Sequence, residues 1–477
     1  PRPPPAASAA SLNAFGERAM AEGLSLRTAG RVLRAEGLPA LRDRLSDRWR
    51  ERHRRLSFVA AGSPLDLPAN PVLNLLSTAP TPRLGGLQAQ LLHRIESEAG
   101  RRPLALLYPG DGAWRLEVAA GGRRLSLTLD GGDPPTAVAL ADAAFERAVL
   151  RAVHEVGARA LHVEGLAALP LASLLALHRQ GLELVLSVHD FSLFCPRPHL
   201  LESPELRFCN YSCDGGRCAR CLAADWALSP GFQQERRALA RELLLAAAAV
   251  VYPSDFLRRR HLELFPGIPP ERQRVVEPPG PRAAEPLWVG NGLAGSGMPV
   301  RHVAYIGKVV PHKGALVFEE VVRRLAADFP GLRWSAYGGG DPELLLRLRR
   351  LSRTRVRGYY RSGSLIDHLR RDRVDLALLL SIVPESYSLA LSECLAAGVP
   401  VAAFDHGAIA ERLRRHGGGL LVEPEAGAAG IAAAVAARIN GLRIPGETRT
   451  DGLLPTASAE GGAAQAFADL YRELGLC

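Results

Sequence analysis

The chain has 477 residues, of which 47% are hydrophobic and 23% are charged. These proportions are typical of a folded globular protein and exclude an intrinsically disordered one. No uncharged apolar run reaches the roughly 18–20 residues that a membrane-spanning helix needs. The net charge of +10 favours anionic partners such as nucleotides, nucleic acids or phospholipid surfaces, without choosing among them. At about 100–200 residues per domain, this length predicts two or three domains.

Residues 1–70 are predicted to form a basic helical extension and linker. The chain opens with Pro rather than Met, so we expect it to be part of a longer protein. Residues 13–56 carry many arginines, with Leu33, Leu38, Leu41 and Leu45 at rough helical spacing. Two interpretations remain open: contact with a membrane surface or a neighbouring domain, and a solvated helical linker, which the thin apolar face favours.

Residues 71–290 alternate short apolar strands with helical segments, which predicts a first α/β domain with a mostly parallel sheet. The first strand leads into a loop containing Gly85 and Gly86, a possible anion site at the start of a helix. The predicted strands cover 72–77, 104–108, 115–118, 125–129, 160–163, 183–188, 249–252 and 274–277. The predicted helices cover 87–98, 137–155, 168–179, 232–247 and 255–264.

Residues 278–299 are rich in Pro and Gly and predict a hinge. A second alternation follows within 291–445, and 446–477 predicts a linker and a final helix at 459–474. The predicted strands here cover 302–306, 332–337, 355–357, 375–380, 399–403 and 419–422. The predicted helices cover 314–328, 342–351, 364–371, 388–397, 408–415 and 426–438. Two doubly wound domains joined by a hinge place a ligand cleft between the carboxyl ends of their strands.

Both lysines of the chain, Lys308 and Lys313, lie in one segment, although 59 residues are Lys or Arg. Gly307 ends a predicted strand and permits close backbone approach, and Lys313 stands at a predicted helix start. Free N–H groups and the positive end of the helix dipole attract phosphate there. The segment therefore predicts a phosphate site; the alternative is a solvated turn with chance clustering.

A second candidate segment contains Glu385 and Glu393, which follow a predicted buried strand. On a helix their offset of eight spans about 12 Å, close to the length of a nucleoside diphosphate. One carboxylate could accept hydrogen bonds from ribose hydroxyls and the other could meet a sugar. The backbone N–H groups of Ser386, Ser388 and Leu389 would face the phosphates between them. The spacing alone is weak support, because acidic pairs are common.

His189 follows an apolar strand at the predicted carboxyl edge of the first sheet. A neutral imidazole there can receive or position a hydroxyl proton near pH 7. The alternative is a structural His–Asp turn with Asp190.

Four cysteines fall within thirteen residues: Cys209, Cys213, Cys218 and Cys221. The total of seven cysteines is odd, which disfavours a disulfide framework. The spacing predicts a structural zinc site that folds the loop 195–221 over the cleft, with Cys195 as an alternative ligand. An iron–sulfur cluster, free thiols or a disulfide remain alternatives.

With these residues in view, the sequence resembles the retaining, GT-B-fold nucleotide-sugar glycosyltransferases of glycosyltransferase family 4. The resemblance is strongest over about 300–440 and looser over 72–280. It rests on motifs that occur in the family's order: Gly307-Lys308, Lys313-Gly314, Tyr337 to Gly340, Val356 to Tyr359, and Pro384-Glu385 through Ser392-Glu393 to Gly398-Val399-Pro400.

The resemblance implies roles for the site residues. Lys308 and Lys313 would hold the donor diphosphate, Glu393 the ribose, and Glu385 the transferred sugar. The resemblance further places Gly307 and Gly338 in the donor site, Gly358 and Tyr359 by the base, Gly85 and Gly86 near donor phosphate or acceptor, and His189 at the reacting centre. The implied chemistry is front-face transfer with retention, in which the leaving diphosphate helps deprotonate the incoming hydroxyl. No metal cofactor is required for this chemistry.

We therefore expect transfer of a sugar from a UDP- or GDP-type donor to a hydroxyl of a glycan or lipid-linked glycan, in cell-surface polysaccharide synthesis. The expected location is cytoplasmic, with peripheral contact at the inner membrane. A sugar-nucleotide epimerase of similar fold, a zinc-knuckle nucleic-acid-binding protein and a non-catalytic subunit are the alternatives. Dispersed arginines and only 6% aromatic residues weigh against a nucleic-acid partner.

Overall fold

The computed structural model describes residues 26–54, 72–80, 103–110, 112–120, 123–279, 300–361, 363–442, 447–448 and 462–476. Within these residues the chain forms two large open sheets, one in each half, with helices packed on both faces. This arrangement confirms the predicted α/β class with two doubly wound units. The predicted helix at 87–98, the glycines Gly85 and Gly86, and most of the predicted hinge lie outside the described residues.

Two helices form a hairpin in the basic extension, α1 (Leu26–Ala35) and α2 (Leu38–Arg54). The hairpin packs against the second half of the chain, with Ala40 fully buried. Of the leucines that suggested its apolar face, Leu33, Leu38 and Leu45 are about half exposed or more, whereas Leu41 is half-buried. The hairpin is therefore not a solvated linker along its whole length, and its packed face differs from the predicted one.

The strands of the first half are β1 (Val72–Leu76), β2 (Leu104–Pro109), β3 (Trp114–Ala120), β4 (Arg123–Leu129), β5 (Ala160–Glu164), β6 (Glu183–Ser187), β7 (Leu201–Glu202), β8 (Arg207–Phe208), β9 (Ala249–Tyr252) and β10 (Gln273–Val275). Eight of them form the first sheet, in the order β10-β9-β6-β5-β1-β2-β3-β4. The strand β3 pairs antiparallel with β2 and with the edge strand β4, and all other neighbouring strands of the sheet pair parallel. The short pair β7 and β8 stands apart.

The helices of the first half are α3 (Ala143–Val156), α4 (Leu171–Arg179), α5 (Gly215–Ala223), α6 (Phe232–Ala246) and α7 (Asp255–Leu264). Local capping sets the limits of α3. The Asp142 carboxylate accepts hydrogen bonds from two N–H groups of the first turn, and Gly157 ends the helix in the left-handed conformation. The helix therefore begins six residues after the predicted start at 137.

The second sheet is entirely parallel and has the strand order β13-β12-β11-β14-β15-β16. Its strands are β11 (His302–Ile306), β12 (Arg333–Tyr337), β13 (Thr354–Gly358), β14 (Leu376–Leu379), β15 (Val401–Phe404) and β16 (Gly419–Val422). All residues of β11, β14 and β15 are buried. Continuous burial is expected of central parallel strands covered on both faces, and it explains their apolar sequences.

The helices of the second half are α8 (Ala315–Leu325), α9 (Pro342–Arg349), α10 (Leu365–Asp372), α11 (Leu389–Ala397), α12 (Gly407–His416) and α13 (Gly427–Ile439). A final helix, α14 (Gly462–Glu473), returns to the first half. Its Phe467, Leu470 and Tyr471 pack against Val185 and Val251 of the first sheet. No helix in the described part of the chain combines the length and hydropathy that a membrane-spanning segment requires.

Each sheet has a topological switch point, where chain connections leave in opposite directions. In the first sheet it lies between β1 and β5, and in the second between β11 and β14. Ligands of open α/β sheets bind outside the carboxyl ends of strands at such points. Glu164 ends β5, and Lys313 and Glu385 follow β11 and β14, so the fold brings candidate residues to both switch points.

Candidate functional site

The backbones at the carboxyl ends of β11 and β12 approach each other closely at Gly307 and Gly338. The Gly307 N–H donates to the Tyr337 carbonyl over 2.9 Å. A Cβ atom added to Gly338 would lie 1.9 Å from the Gly307 carbonyl oxygen, a distance that no side chain tolerates. The two backbones can approach this closely only with glycine, and the loop after β11 is fixed as a result.

The loop after β11 delivers Lys313 to the start of α8. The Tyr305 hydroxyl lies 2.7 Å from the Lys308 carbonyl and 3.0 Å from the Lys313 carbonyl, and so braces both ends of the loop. Gly314 has a φ of +81°, and a Cβ atom there would lie 1.8 Å from the carbonyl oxygen of Leu380. This contact seats the helix start against the end of β14, at the switch point.

Lys313 and Glu385 form the central ion pair of this edge, with 2.5 Å between Nζ and Oε1. Both side chains are largely buried, with exposed fractions of 28% and 17%. Burial opposes ionisation of Glu385, but the charge and hydrogen bond of Lys313, with help from Ser381, lower its pKa below the ordinary value. The site therefore holds a carboxylate and an ammonium group side by side.

The segment that carries Glu385 is fixed from two sides. Gly407 begins α12 with a φ of +70°, and a Cβ atom there would lie 2.7 Å from the Glu385 nitrogen. The Ala408 N–H donates to the Glu385 carbonyl over 2.9 Å. The Arg412 guanidinium donates to the carbonyls of Tyr387 and Ser388. These contacts hold the loop between β14 and α11 in one conformation.

Glu393 lies on α11, whereas Glu385 precedes that helix. The helix begins only at Leu389, because Ser388 adopts a φ of +72° and caps it by accepting a hydrogen bond from the Leu391 N–H. The helical spacing of 12 Å expected between the two carboxylates is therefore wrong. Burial raises the pKa of Glu393 to about 7, and its carboxylate accepts the Gly363 N–H over 3.0 Å.

Of the remaining donor-site candidates, Lys308 is exposed and follows β11 directly. Gly358 ends β13, and its neighbour Tyr359 is contacted by the helical hairpin. The Tyr359 N–H donates to the Glu36 carboxylate over 2.8 Å, and the Tyr359 hydroxyl lies 2.7 Å from the Asp47 carboxylate. Sequence reasoning missed this contact.

The first sheet brings Glu164 and His189 together at the carboxyl ends of its strands, across the cleft from Lys313 and Glu385. The Nε2 atom of His189 lies 3.7 Å from Oε2 of Glu164, whose side chain is 1% exposed. Both residues line a small cavity of about 40 Å³, together with Ser187, Tyr252 and Glu277. Glu164 was not among the predicted site residues, although its place at the end of a buried strand could have signalled it.

The two edges face each other across the cleft and touch at several points. The imidazole rings of His199 and His312 stack with centroids 4.3 Å apart. The Ser254 hydroxyl donates to the Ser386 carbonyl over 2.7 Å. Burial, with the nearby charge of Lys313, lowers the pKa of His199 to about 4. Burial also lowers the pKa of His312 well below its ordinary value, so both rings are neutral at pH 7. Neither residue was predicted.

The cysteine loop lies in the first half, between β6 and α6. Among the described residues, no three Cys, His, Asp or Glu side chains are arranged to hold a metal ion. The structure thus does not bring Cys209, Cys213, Cys218 and Cys221 into a ligand set. Burial raises the pKa of the nearby Cys195 to about 12, which keeps that thiol protonated. The zinc site stays a prediction that this arrangement does not support.

Comparison with known proteins assigns both halves. Residues 85–279 match the family model described as "Glycosyl transferase 4-like domain", and residues 300–440 match "Glycosyl transferases group 1". The chain is a glycosyltransferase. No curated protein matches it.

Solved glycosyltransferase structures share its fold. Sucrose-phosphate synthase from Thermosynechococcus elongatus has a TM-score of 0.55 at 17% identity, over 85% of this chain and 99% of that one. Anabaena HepE, in a complex with UDP and glucose, has a TM-score of 0.51 at 16% identity, over 84% of this chain and 99% of that one. At these identities the likeness shows the GT-B fold alone.

In this glycosyltransferase, the predicted site residues differ in where the fold places them. Lys313 and Glu385 meet directly, Glu393 lies buried behind the loop, and His189 stands at the facing edge. The predicted pair Gly85 and Gly86 lies outside the described residues.

Proposed function

We propose that this glycosyltransferase moves a sugar from a nucleotide diphosphate sugar to a hydroxyl of a glycan acceptor, with retention of configuration. The observation that carries the proposal is the pair of Lys313 and Glu385 at the switch point of the second sheet. An ammonium group beside a helix N-terminus suits a diphosphate, and a neighbouring carboxylate suits the sugar attached to it.

The diphosphate would displace the Glu385 carboxylate from Lys313 in part, because the phosphate oxygens compete for the same ammonium group. Glu385 would then contact the transferred sugar and stabilise the positive charge that develops at its anomeric carbon. Lys313, the exposed Lys308 and the N–H groups at the start of α8 would stabilise the leaving diphosphate. No bound metal is needed for these roles.

The nucleoside would lie beyond the diphosphate, between α11 and the loop after β13. Glu393 would accept hydrogen bonds from ribose hydroxyls, and Gly358 and Tyr359 would lie by the base. The HepE structure contains UDP and glucose, which favours a UDP-type donor, with GDP as the alternative. The first half of this chain would bind the acceptor and present His189 to the reacting centre.

The role in polysaccharide synthesis is the most specific part of the proposal. It rests on the resemblance of the sequence to family members that build cell-surface glycans. Both family models name glycosyl transferases, which favours this activity over an epimerase or a nucleic-acid-binding protein.

A thermal-unfolding screen against UDP, GDP and their sugars tests donor binding. A ligand that binds the folded protein alone raises its midpoint temperature, so we expect one nucleotide series to do so. Product analysis by NMR with a glycan acceptor then checks the anomeric configuration. An inverted product would refute the retaining mechanism, and no stabilisation by any nucleotide sugar would refute the donor site.

A further inference from the structure

Glu164 occupies the switch point of the first sheet without a role in the proposed function. It is the last residue of β5, paired in register with Leu76 of β1 and Ser187 of β6. Its side chain is 1% exposed. Carboxylates are rarely buried this deeply unless charged or hydrogen-bonded groups compensate for the lost hydration.

Two imidazole rings flank the Glu164 carboxylate. Nδ1 of His162 lies 3.3 Å from Oε1, and Nε2 of His189 lies 3.7 Å from Oε2. His162 is fully buried and is fixed in turn, because its Nε2 lies 2.7 Å from the Ser187 hydroxyl and its Nδ1 contacts the Tyr471 hydroxyl. A continuous polar chain therefore runs from the last helix to the cleft.

A carboxylate beside one ring nitrogen favours the tautomer with the proton on that nitrogen. Here the nitrogen is Nε2 of His189, so Nδ1 keeps its lone pair. The distance of 3.7 Å exceeds a hydrogen bond, as is common in enzymes without substrate, where such contacts tighten on binding.

We propose that Glu164 is a positioning residue: it orients His189, holds the proton on Nε2 and leaves Nδ1 to accept a hydrogen bond from a substrate hydroxyl. His162 and Tyr471 fix Glu164 from behind, so the last helix contributes to the acceptor half of the site. This inference rests on the proposed role of His189.

Other titratable groups surround the same cavity. Tyr252 of β9 and Glu277 also line it, and Arg415 of α12 pairs with Glu277 over 2.5 Å. Asp190 follows His189 and accepts the Ser192 N–H. Of these carboxylates, Glu164 is the one whose oxygen lies at ion-pair distance from the His189 ring.

The test is steady-state kinetics of Glu164→Gln, with kcat and the donor KM measured separately. We expect kcat to fall roughly tenfold, less than the whole contribution of a general base, because the His189 ring is no longer held in the reactive orientation. The donor KM should not change, because Glu164 does not contact the donor half of the site. Tyr471→Phe should lower kcat less, with the donor KM unchanged.

A matched control is Glu319→Gln, which removes a buried carboxylate of α8 that pairs with Arg323 and Arg347. Its kcat should not change. Nitrogen NMR of the wild-type protein provides a readout independent of activity and of variant folding, with the proton expected on Nε2 of His189. A proton on Nδ1, or an unchanged kcat in Glu164→Gln, overturns this inference. Absence of transfer by the wild type would instead refute the proposed function.

The helical hairpin supports a second inference from different contacts. A Cβ atom on Gly358 would lie 2.5 Å from Cβ of Glu36, so the hairpin sits directly on the end of β13. The Glu36 carboxylate takes the Tyr359 N–H, and Arg44 stacks 4.6 Å above the Tyr359 ring while pairing with Glu36 over 2.6 Å. A backbone donor at the ligand edge is thus occupied by a side chain of the extension.

We infer that the α1–α2 hairpin competes with the nucleoside of the donor for the end of β13. Because Glu36 already accepts the Tyr359 N–H, a base could reach that N–H only after the hairpin moves. Donor binding then costs the free energy of breaking these contacts, and the hairpin reduces donor affinity. This inference also rests on the proposed donor site.

The test is calorimetric binding of UDP and GDP to the double variant Glu36→Ala and Asp47→Ala. Both substitutions remove contacts to Tyr359, so we expect binding roughly tenfold tighter, the factor that about 1.4 kcal/mol supplies. If the hairpin unfolds in the variant, nucleotide binding also becomes tighter, because the end of β13 is freed in the same way. Arg42→Ala, on the exposed side of α2, should leave affinity unchanged. Equal or weaker nucleotide affinity in the double variant overturns the inference, and absence of nucleotide binding to either protein refutes the donor site itself.

Discussion

The two switch points of the molecule face the same cleft but are built differently. The second sheet presents an ion pair, Lys313 with Glu385, that is partly open to solvent. The first sheet presents Glu164, a carboxylate enclosed between the two imidazole rings of His162 and His189. The open pair suits a charged ligand that enters from water, whereas the enclosed network suits the orientation of a single side chain.

Backbone geometry reinforces this contrast. At the second sheet, Gly314 and Gly338 allow main-chain atoms to approach more closely than any side chain would permit. N–H groups are thereby presented to the cleft at fixed positions. At the first sheet, side chains do the positioning, including Tyr471 from the far end of the chain. Substitutions should therefore affect charge stabilisation at one edge and orientation at the other.

The largest effect is expected at the open ion pair. Lys313→Ala and Glu385→Gln should each lower kcat by roughly 100-fold to 1000-fold, as removal of a preorganised charge-stabilising group does. Release of the nucleotide product measures the effect, and thermal unfolding checks that each variant is folded.

Arg323→Ala is the control for charge removal on the same helix, because Arg323 pairs with Glu319 and is 60% exposed. It should keep full activity. Full activity in both Lys313→Ala and Glu385→Gln would show that the ion pair takes no part in the mechanism. The structural difference between the two switch points would then have no functional meaning.

A smaller effect is expected at Glu393, whose pKa burial raises to about 7. Ribose hydroxyls donate to the ionised carboxylate, so donor binding should release a proton, and affinity should rise as pH increases through about 7. Glu393→Gln should bind the donor roughly tenfold more weakly, the scale of one hydrogen bond to a charged group, and lose this pH dependence. Calorimetry in buffers of different ionisation enthalpy measures the proton release.

The same pKa has a consequence for stability. The native state holds the Glu393 proton more tightly than the unfolded chain does, so the group stabilises the fold below about pH 4.5, the ordinary value. That contribution is lost as pH rises through about 7. Glu393→Gln should flatten the decline in unfolding free energy across this range, whereas the exposed Glu343→Gln should not. An unchanged slope would show that Glu393 ionises normally.

The site residues at the carboxyl ends of the second sheet were easier to predict from the sequence than those of the first sheet, for a physical reason. Lys313 and Glu385 each follow a buried strand within a few residues, so local pattern and sheet topology sufficed to bring them together. The contact between His162 and Tyr471 spans 309 residues and depends on where the last helix packs. The expected helical spacing from Glu385 to Glu393 failed because the left-handed backbone of Ser388 delays the helix start. The contact face of the hairpin was misjudged because Leu33, Leu38 and Leu45 are exposed, whereas the small Ala40 is buried and the Glu36 carboxylate makes the contact.

The smallest effect is expected where the two edges touch. The Ser254 hydroxyl caps α7 by accepting the Leu257 N–H and donates to the Ser386 carbonyl of the other half. Ser254→Ala should cost about 1 kcal/mol of stability through the lost cap. It should also raise the donor KM roughly threefold, because a net hydrogen bond that positions the loop is lost.

Asp142→Ala separates these two effects. Asp142 caps α3 in the same half and has no contact with the second sheet in its hydrogen bonds to Ala144 and Phe145. It should lose similar stability with an unchanged donor KM. If both variants raise KM equally, the loss reflects general loosening of the first half. If Ser254→Ala alone raises the donor KM, the hydrogen bond from Ser254 to the Ser386 carbonyl positions the loop of the second half. The two switch points then act as one site.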